Sequence, residues 1–139
     1  MPNTETTERL YDIIVWGASG FTGRIVVDYM HREYGSGNVR WAIAGRNPAK
    51  LETVAGQRDI PVLTADSHDV EALEKLVQQT SVIVTTVGPY ARYGSELVAA
   101  CAKHGTHYCD LTGESLWMRE MITAHQQTAQ DSGARIVHT

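Results

Sequence analysis

The sequence predicts an α/β protein, in which a doubly wound parallel sheet of about six strands carries helices on both faces. Two observations predict this fold class. Short apolar, β-branched segments alternate with segments of helical periodicity along the chain. The short segments are apolar on both of their faces, as strands are when helices cover both sides of a parallel sheet. Six strands in this rhythm predict the strand order 3-2-1-4-5-6.

The length and composition limit the classes of protein to which this chain can belong. Its 139 residues fit one domain, and 42% hydrophobic against 20% charged residues is typical of a globular protein. A formal net charge of -4 argues against a nucleic-acid-binding protein, which needs clustered Lys and Arg. Two cysteines are too few for a disulfide scaffold. Because the sequence contains neither a signal peptide nor an apolar run of about 20 residues, we expect a cytoplasmic protein without a transmembrane segment.

The strands are expected at six places, after a polar N-terminal segment. Residues 1–9 are polar, so we expect a disordered tail followed by one domain over residues 10–139. The apolar segments then predict strands at 11–16, 39–45, 60–66, 81–88, 106–111 and 134–139.

The first two helices have different sequence signals. Periodicity in residues 22–35 predicts a helix whose apolar face consists of Ile25, Val26, Tyr29 and Met30. The second helix is expected to begin with Asn47 as its cap and Pro48 at its first helical position.

The three later helices follow from periodicity and from their ends. The third is expected to bury one stripe, made of Val70, Leu73, Leu76 and Val77. The fourth is expected to have Ser95 as its cap and to end at Gly105. The last is expected over residues 116–131, with Gly133 after its end.

A glycine-rich segment follows the first predicted strand and opens the first helix, in the sequence IIVWGASGFTG. Gly17 allows a tight turn, Gly20 lets the backbone approach a pyrophosphate, and Gly23 lets the helix pack close to the strand. The start of a helix also offers free N–H groups to phosphates. The segment therefore predicts a dinucleotide site, and the alternative is a turn needed only for packing. The candidate residues are Gly17, Ala18, Ser19, Gly20, Phe21, Thr22 and Gly23, with Ser19 and Thr22 as hydroxyl donors.

The end of the second strand distinguishes the two common dinucleotides. An NAD site needs a carboxylate there for the ribose 2′-OH, but this chain has Ala44-Gly45-Arg46-Asn47. The guanidinium of Arg46 suits a 2′-phosphate, and Lys50 can add positive charge. The sequence therefore favours NADP(H) over NAD, unless Arg46 and Lys50 are ordinary solvated charges. The candidate residues at this strand end are Gly45, Arg46, Asn47 and Lys50.

Two further strand ends are expected to face the cofactor, because ligands bind at the carboxyl ends of parallel strands. Asp66 ends the third strand and can reach the adenine side or cap the next helix. The fourth strand runs into a turn beside the pyrophosphate or the nicotinamide ribose, unless this is an ordinary turn between strand and loop. Its candidate residues are Thr86, Val87, Gly88, Pro89 and Tyr90.

No residue stands out as catalytic, and no metal site is expected. The pattern Cys101, His104, His107 and Cys109 has ligand-like spacing, but its path through a helix and a strand spreads the side chains apart. Tyr90 and Tyr93 are weak candidates for a proton donor. Asp110 and Glu114 follow the fifth strand, where they can anchor a substrate near the nicotinamide or cap a helix.

Three stretches resemble a known family. DIIVWGASGFTGR, WAIAGRNPAKL and TTVGPYARYGSELVAACAKHGTHYCDLTGE are similar to the N-terminal domain of saccharopine dehydrogenase-like oxidoreductases, and most similar to their trans-acting enoyl reductase branch. The resemblance implies a Rossmann fold that binds NADP(H), with a phosphate loop at residues 17–23, Arg46 at the 2′-phosphate and a nicotinamide-side turn at residues 87–90. It also implies hydride transfer to an enoyl- or imine-type substrate, which is a small molecule or an acyl group.

The resemblance also implies that a second α/β domain, which shapes the substrate site and often the dimer, is absent from these 139 residues. We therefore expect the chain to be a fragment with little activity by itself, and a homodimer is compatible with this family. The alternative function is a non-catalytic dinucleotide sensor. A domain that binds S-adenosylmethionine is disfavoured, because Arg46 stands where such domains usually carry an acid.

Overall fold

The computed structural model describes residues 8–139 and has the predicted α/β architecture. The strands in this part of the chain are β1 Tyr11–Trp16, β2 Trp41–Gly45, β3 Val62–Thr64, β4 Thr80–Thr85, β5 His107–Cys109 and β6 Ile136–Val137. The helices there are α1 Phe21–Tyr34, α2 Pro48–Ala55, α3 Val70–Val77, α4 Tyr90–Tyr93, α5 Ser95–His104 and α6 Ser115–Ser132.

The strands form one parallel sheet in the order β3-β2-β1-β4-β5-β6, which confirms the predicted doubly wound topology. The central strand is β1, where Ile14 is paired with Ala42 of β2 and with Ile83 of β4. Because all strands run the same way, their carboxyl ends lie at one edge of the sheet. The loops after β1, β2, β3 and β4 meet at that edge.

Alternate residues of β1 belong to two separate core layers. Ile14 and Trp16 pack in a layer with α3, α5 and α6, whereas Val15 packs in a second layer with α1 and α2. Successive side chains of a strand point to opposite faces, so an uninterrupted apolar strand serves both layers. The central strands are therefore fixed from both sides, and the site at their ends has a rigid base.

The strand bounds differ from the prediction everywhere except at β1. The strands β2, β3, β5 and β6 are shorter than the apolar segments that predicted them, and β4 begins at Thr80 and ends at Thr85. The apolar residues that flank a strand continue into loops, as Val87 does after β4. Hydrophobicity therefore locates a strand, but it does not show at which residue the hydrogen bonds to the neighbouring strand end.

The predicted apolar face of α1 is right for Met30 and for the half-buried Val26, but it is wrong for Ile25 and Tyr29. The helix buries Gly23, Val27 and Met30, while Ile25 and Tyr29 are exposed. A Cβ atom on Gly23 would overlap the carbonyl oxygen of Gly17, so this side of the helix lies directly against the loop. That contact fixes the rotation of α1 and places the residues four and seven positions after Gly23 on the buried side.

The helix ends agree with the prediction at some positions and not at others. Asn47 caps α2, since its Oδ1 atom accepts a hydrogen bond from the Lys50 N–H at 3.1 Å, and Gly105 ends α5 with φ of 70°. Ser95 is not a cap, because Gly94 holds that position and the Ser95 hydroxyl instead accepts from the Trp117 indole N–H at 3.0 Å. Val70 starts α3 but is exposed.

The predicted tail falls mostly outside the described residues, which begin at residue 8. Arg9, however, is fixed to the fold. Its guanidinium donates hydrogen bonds to the carbonyl oxygens of Val77, Thr80 and His104 and to the Thr106 hydroxyl, at 2.6–2.9 Å. The prediction of a loose segment does not hold for this residue.

Candidate dinucleotide site

A cleft of about 450 Å³ opens at the carboxyl edge of the sheet, where the loops after β1, β2, β3 and β4 meet. Most of the predicted site residues line this one cleft, although they come from separate parts of the sequence. The residues that line it are Trp16, Gly17, Ser19, Gly20, Phe21, Thr22, Gly23, Gly45, Arg46, Asn47, Lys50, Ser67, Thr86, Val87, Gly88 and Tyr93.

The three glycines of the loop meet different spatial requirements. Gly17 has φ of 81°, which favours glycine, and a Cβ atom there would overlap the Val87 side chain. A Cβ atom on Gly23 would overlap the Gly17 carbonyl oxygen and lie 2.9 Å from the Ala18 Cα atom. A Cβ atom on Gly20 would meet only the Gly17 carbonyl oxygen, at 3.4 Å. Packing thus explains Gly17 and Gly23, while the space beside Gly20 is open.

The start of α1 faces this loop without a side-chain cap. Gly20 is the N-cap residue in extended conformation, and no side chain there hydrogen-bonds to the helix. The first turn of a helix has N–H groups without intrahelical acceptors, and its partial positive charge attracts anions. The arrangement can therefore bind a phosphate through the backbone N–H groups of the first turn of α1.

The charged side chains of the cleft are both positive. Among the described residues that line it, Arg46 and Lys50 carry charge, and both are exposed. Asn47 lies between them and is occupied by its capping bond to the Lys50 N–H. A cleft with two cations and no carboxylate in its lining favours an anionic ligand. The guanidinium of Arg46 is suited to two parallel hydrogen bonds to one phosphate.

The turn after β4 forms the opposite wall of the cleft. The Val87 N–H donates to the Thr85 hydroxyl at 3.3 Å, and the Val87 side chain lies against Gly17. The Gly88-Pro89 peptide bond is cis. Beyond it, Tyr90 starts α4 and turns its ring into the core, where it is 5% exposed.

The buried position of Tyr90 limits what its hydroxyl can do. The hydroxyl donates to the Thr85 carbonyl oxygen and accepts from the Leu111 N–H, both at 3.2 Å. Burial is the main reason that the pKa of Tyr90 is raised. The phenol is therefore protonated and hydrogen-bonded inside the protein, and this arrangement does not favour Tyr90 as a proton donor to a ligand in the cleft.

The two acidic residues after β5 have structural partners. The Asp110 carboxylate is completely buried, and it accepts from the Tyr108 hydroxyl at 2.7 Å and from the His138 ring at 2.8 Å. The Glu114 carboxylate accepts the N–H groups of Tyr90 and Ala91, at the start of α4. Of the two roles considered for Glu114, capping is the one that these contacts show, although the capped helix precedes it by more than 20 residues.

Four predicted site residues lie outside the cleft lining. Ala18 and Tyr90 are buried, Pro89 is exposed beside the turn, and the Asp66 carboxylate accepts a hydrogen bond from the His68 N–H at 2.9 Å. The cap of α3 is Asp69, not Asp66. The contact of these four residues with a cofactor stays a prediction.

The sequence reasoning missed Trp16 and Ser67 as cleft residues and considered Tyr93 only as a proton donor. Ser67 directly follows Asp66, at the end of a strand that was expected to face the cofactor, and this position was the available signal. The Tyr93 ring lies 6.0 Å from the His68 ring, between centroids, and it joins the lining across a turn that sequence alone does not place.

Within residues 8–139, neither a metal site nor a reactive cysteine accompanies this cleft. The structure places no group of three or more His, Cys, Asp or Glu side chains there that could hold a metal ion. Cys101 is buried, and burial raises the pKa of the Cys109 thiol, which disfavours a nucleophilic thiolate. In the same part of the chain, no helix combines the length and the hydrophobicity that crossing a membrane requires.

Comparison with solved structures agrees with the observed fold. Saccharopine dehydrogenase (L-Glu forming) from Saccharomyces cerevisiae superposes with a TM-score of 0.76 at 19% identity, over 92% of this chain and 26% of that one. Citrobacter sp. triphenylmethane reductase complexed with NADP(H) superposes with a TM-score of 0.69 at 18% identity, over 91% and 48%. At these identities the likeness concerns the fold.

Comparison of sequences gives the family. The chain is 42% identical to a trans-acting enoyl reductase of Mycobacterium ulcerans and to one of Mycobacterium tuberculosis, over 95% and 94% of its own length. It spans about one third of the length of these curated relatives, 32% in each case. Residues 13–137 match the model of the saccharopine dehydrogenase NADP binding domain. The chain therefore belongs to the family of saccharopine dehydrogenase NADP binding domains, which confirms both the resemblance and NADP(H) as the predicted cofactor.

Proposed function

We propose that the cleft is the NADP(H) site of this chain, with a named role for each side. The pyrophosphate lies on the glycine loop between Gly17 and Gly23, where the N–H groups at the start of α1 bind its oxygens. Arg46 binds the 2′-phosphate in bidentate fashion, and Lys50 adds a second positive charge. The observation that carries this proposal is the single cleft that joins an uncapped helix start to two cations.

We place the nicotinamide side of the cofactor along residues 86–90. The support is geometric, because Thr86, Val87 and Gly88 line the cleft after β4, whereas Arg46 follows β2 on the other side of β1. When bound, the nicotinamide supplies or accepts a hydride. The residues of this chain bind and orient the cofactor.

The reaction proposed for the complete enzyme is hydride transfer to an enoyl- or imine-type substrate. The enoyl-type substrate is supported by the relatives, because the chain is 42% identical to a protein named as a trans-acting enoyl reductase. Because this chain spans only about one third of those relatives, we propose that it binds cofactor and by itself turns over little. We also propose that a second copy can cover exposed apolar side chains such as Leu116, which is 82% exposed.

The test is a calorimetric titration of the chain with NADPH and with NADH, repeated with Arg46→Ala. We expect NADPH to bind at least about tenfold more tightly, which is about 1.4 kcal/mol, and we expect Arg46→Ala to remove most of that difference. Arg32→Ala is the matched control, because Arg32 is an exposed arginine of α1 that pairs with Glu33. Equal binding of both cofactors would remove Arg46 from its role, and binding of neither would contradict the site.

A further inference from the structure

The carboxylate of Glu114 holds the turn that forms one wall of the cleft. Its Oε2 atom accepts a hydrogen bond from the Tyr90 N–H at 2.6 Å, and its Oε1 atom accepts one from the Ala91 N–H at 3.1 Å. These N–H groups belong to the first turn of α4, where a helix offers them no acceptor of its own. Glu114 thus fixes the backbone directly after Gly88-Pro89.

The same turn is held from its other side by the glycine loop. The Val87 side chain occupies the space beside Gly17, and Thr86, Val87 and Gly88 line the cleft. The turn is therefore fixed between the loop and Glu114. A shift of the start of α4 would move the cleft wall, although Glu114 is not part of the lining.

Glu114 is itself held by a chain of hydrogen bonds. Its N–H donates to the Thr112 hydroxyl at 3.0 Å, and the Thr112 N–H donates to the Asp110 carboxylate at 3.0 Å. The buried Asp110 carboxylate also accepts from Tyr108 and His138. The carboxylate of Glu114 therefore stands on a rigid support that reaches from β5 and β6 to the cleft wall.

We propose that Glu114 is a positioning residue of the cofactor cleft, which sets the affinity for the dinucleotide through the N–H groups of Tyr90 and Ala91. This inference rests on the proposed function of the cleft. Glu114 acts on a wall that NADPH and NADH share, and it lies away from Arg46. Its loss therefore weakens both cofactors by the same factor and leaves the preference for NADPH unchanged.

The test compares the dissociation constants of NADPH and NADH for the wild-type chain, Glu114→Gln and Glu114→Ala. We expect Glu114→Ala to weaken both cofactors about tenfold, since two charge-assisted hydrogen bonds are lost. Glu114→Gln keeps its size and one carbonyl acceptor, so its affinity is expected between that of the wild type and that of Glu114→Ala. The ratio of the NADPH and NADH dissociation constants is expected to stay constant throughout. A cap that only stabilised the fold would not produce this graded change in affinity.

The matched control is Asp12→Asn at the opposite edge of the sheet. The Asp12 carboxylate also accepts two hydrogen bonds, from the Arg40 N–H at 2.9 Å and from its guanidinium at 3.0 Å. We expect Asp12→Asn to leave both dissociation constants unchanged. The positioning role would be overturned if the Glu114 variants lost thermal stability but bound both cofactors as tightly as the wild type. A changed ratio of the NADPH and NADH dissociation constants would also overturn it. If the wild-type chain binds neither cofactor, the proposed function fails, and this inference fails with it.

Discussion

A Cβ atom on Gly17 would overlap the Cγ2 methyl group of Val87, so the glycine loop and the turn after β4 are in direct contact. Gly17 also needs its positive φ of 81°. Both requirements concern the fold and not a ligand. Gly20 has neither of them, since its φ lies in the ordinary extended region and the space beside it is open. Packing therefore explains Gly17 and Gly23, whereas the requirement for Gly20 is assigned to binding only by the proposed function.

Gly20→Ala is expected to bind NADPH at least about tenfold more weakly while keeping the fold. The added methyl group stands where the pyrophosphate is proposed to approach the backbone. Its effect on the free energy of unfolding is expected to be about 1 kcal/mol or less, because it costs only a poorer helix cap. Calorimetry and urea unfolding on the same sample measure the two effects.

Gly23→Ala is the matched variant for packing. Its added methyl group would overlap the Gly17 carbonyl oxygen, so α1 must move away from the loop. We expect a loss of about 2 kcal/mol in the free energy of unfolding, as in other overpacked sites. The two roles would be wrongly assigned if Gly20→Ala bound NADPH as tightly as the wild type. The same would follow if Gly23→Ala left the free energy of unfolding unchanged.

Arg9→Ala is expected to destabilise the chain by about 2 kcal/mol, because buried acceptors lose a charged donor. The Arg9 guanidinium joins the end of α3, the start of β4 and the end of α5. Urea unfolding measures the loss, and Arg32→Ala is expected to change stability by no more than about 0.5 kcal/mol. A stability loss no greater than that of Arg32→Ala would show that the hydrogen bonds of Arg9 do not stabilise the fold.

Glu74→Gln is expected to change how stability depends on pH in acid. Hydrogen bonds from Lys103 and then from His104 hold the pKa of Glu74 below its ordinary value. Because the folded-state pKa lies below that of the unfolded chain, the contribution is fully present above about pH 4.3. It is lost as the pH falls through the folded-state pKa. Melting temperatures from neutral to acid pH should therefore converge for wild type and Glu74→Gln, and a constant difference would contradict this account.

Self-association is expected at high protein concentration, because large apolar side chains are exposed. Leu116 at the start of α6 is 82% exposed and Ile122 on the same helix is 54% exposed. Light scattering over a concentration series measures the molecular mass in solution. Leu116→Glu is expected to shift the balance towards monomer, and a wild-type chain that stays monomeric at high concentration would rule the expectation out.

The sequence by itself determined the order of the strands and of the longer helices, the strand order of the sheet, and the glycine loop with Arg46 at the second strand end. It did not predict the four-residue helix α4. The features that it did determine depend on local signals. Strand β1 was predicted to the residue because an apolar run ends directly at Gly17. Asn47-Pro48 gave the start of α2 because a cap and its helix are neighbours in sequence.

Only the tertiary structure showed which residues far apart in the sequence contact one another. The rotation of α1 depends on the space between Gly23 and Gly17, so exposed Ile25 and Tyr29 could not be told from buried residues by periodicity. Glu114 reaches the start of α4 across 24 positions, and Arg9 reaches Thr106 across 97. Such contacts depend on how the sheet brings strand ends together and on the reach of each side chain, which no local pattern contains.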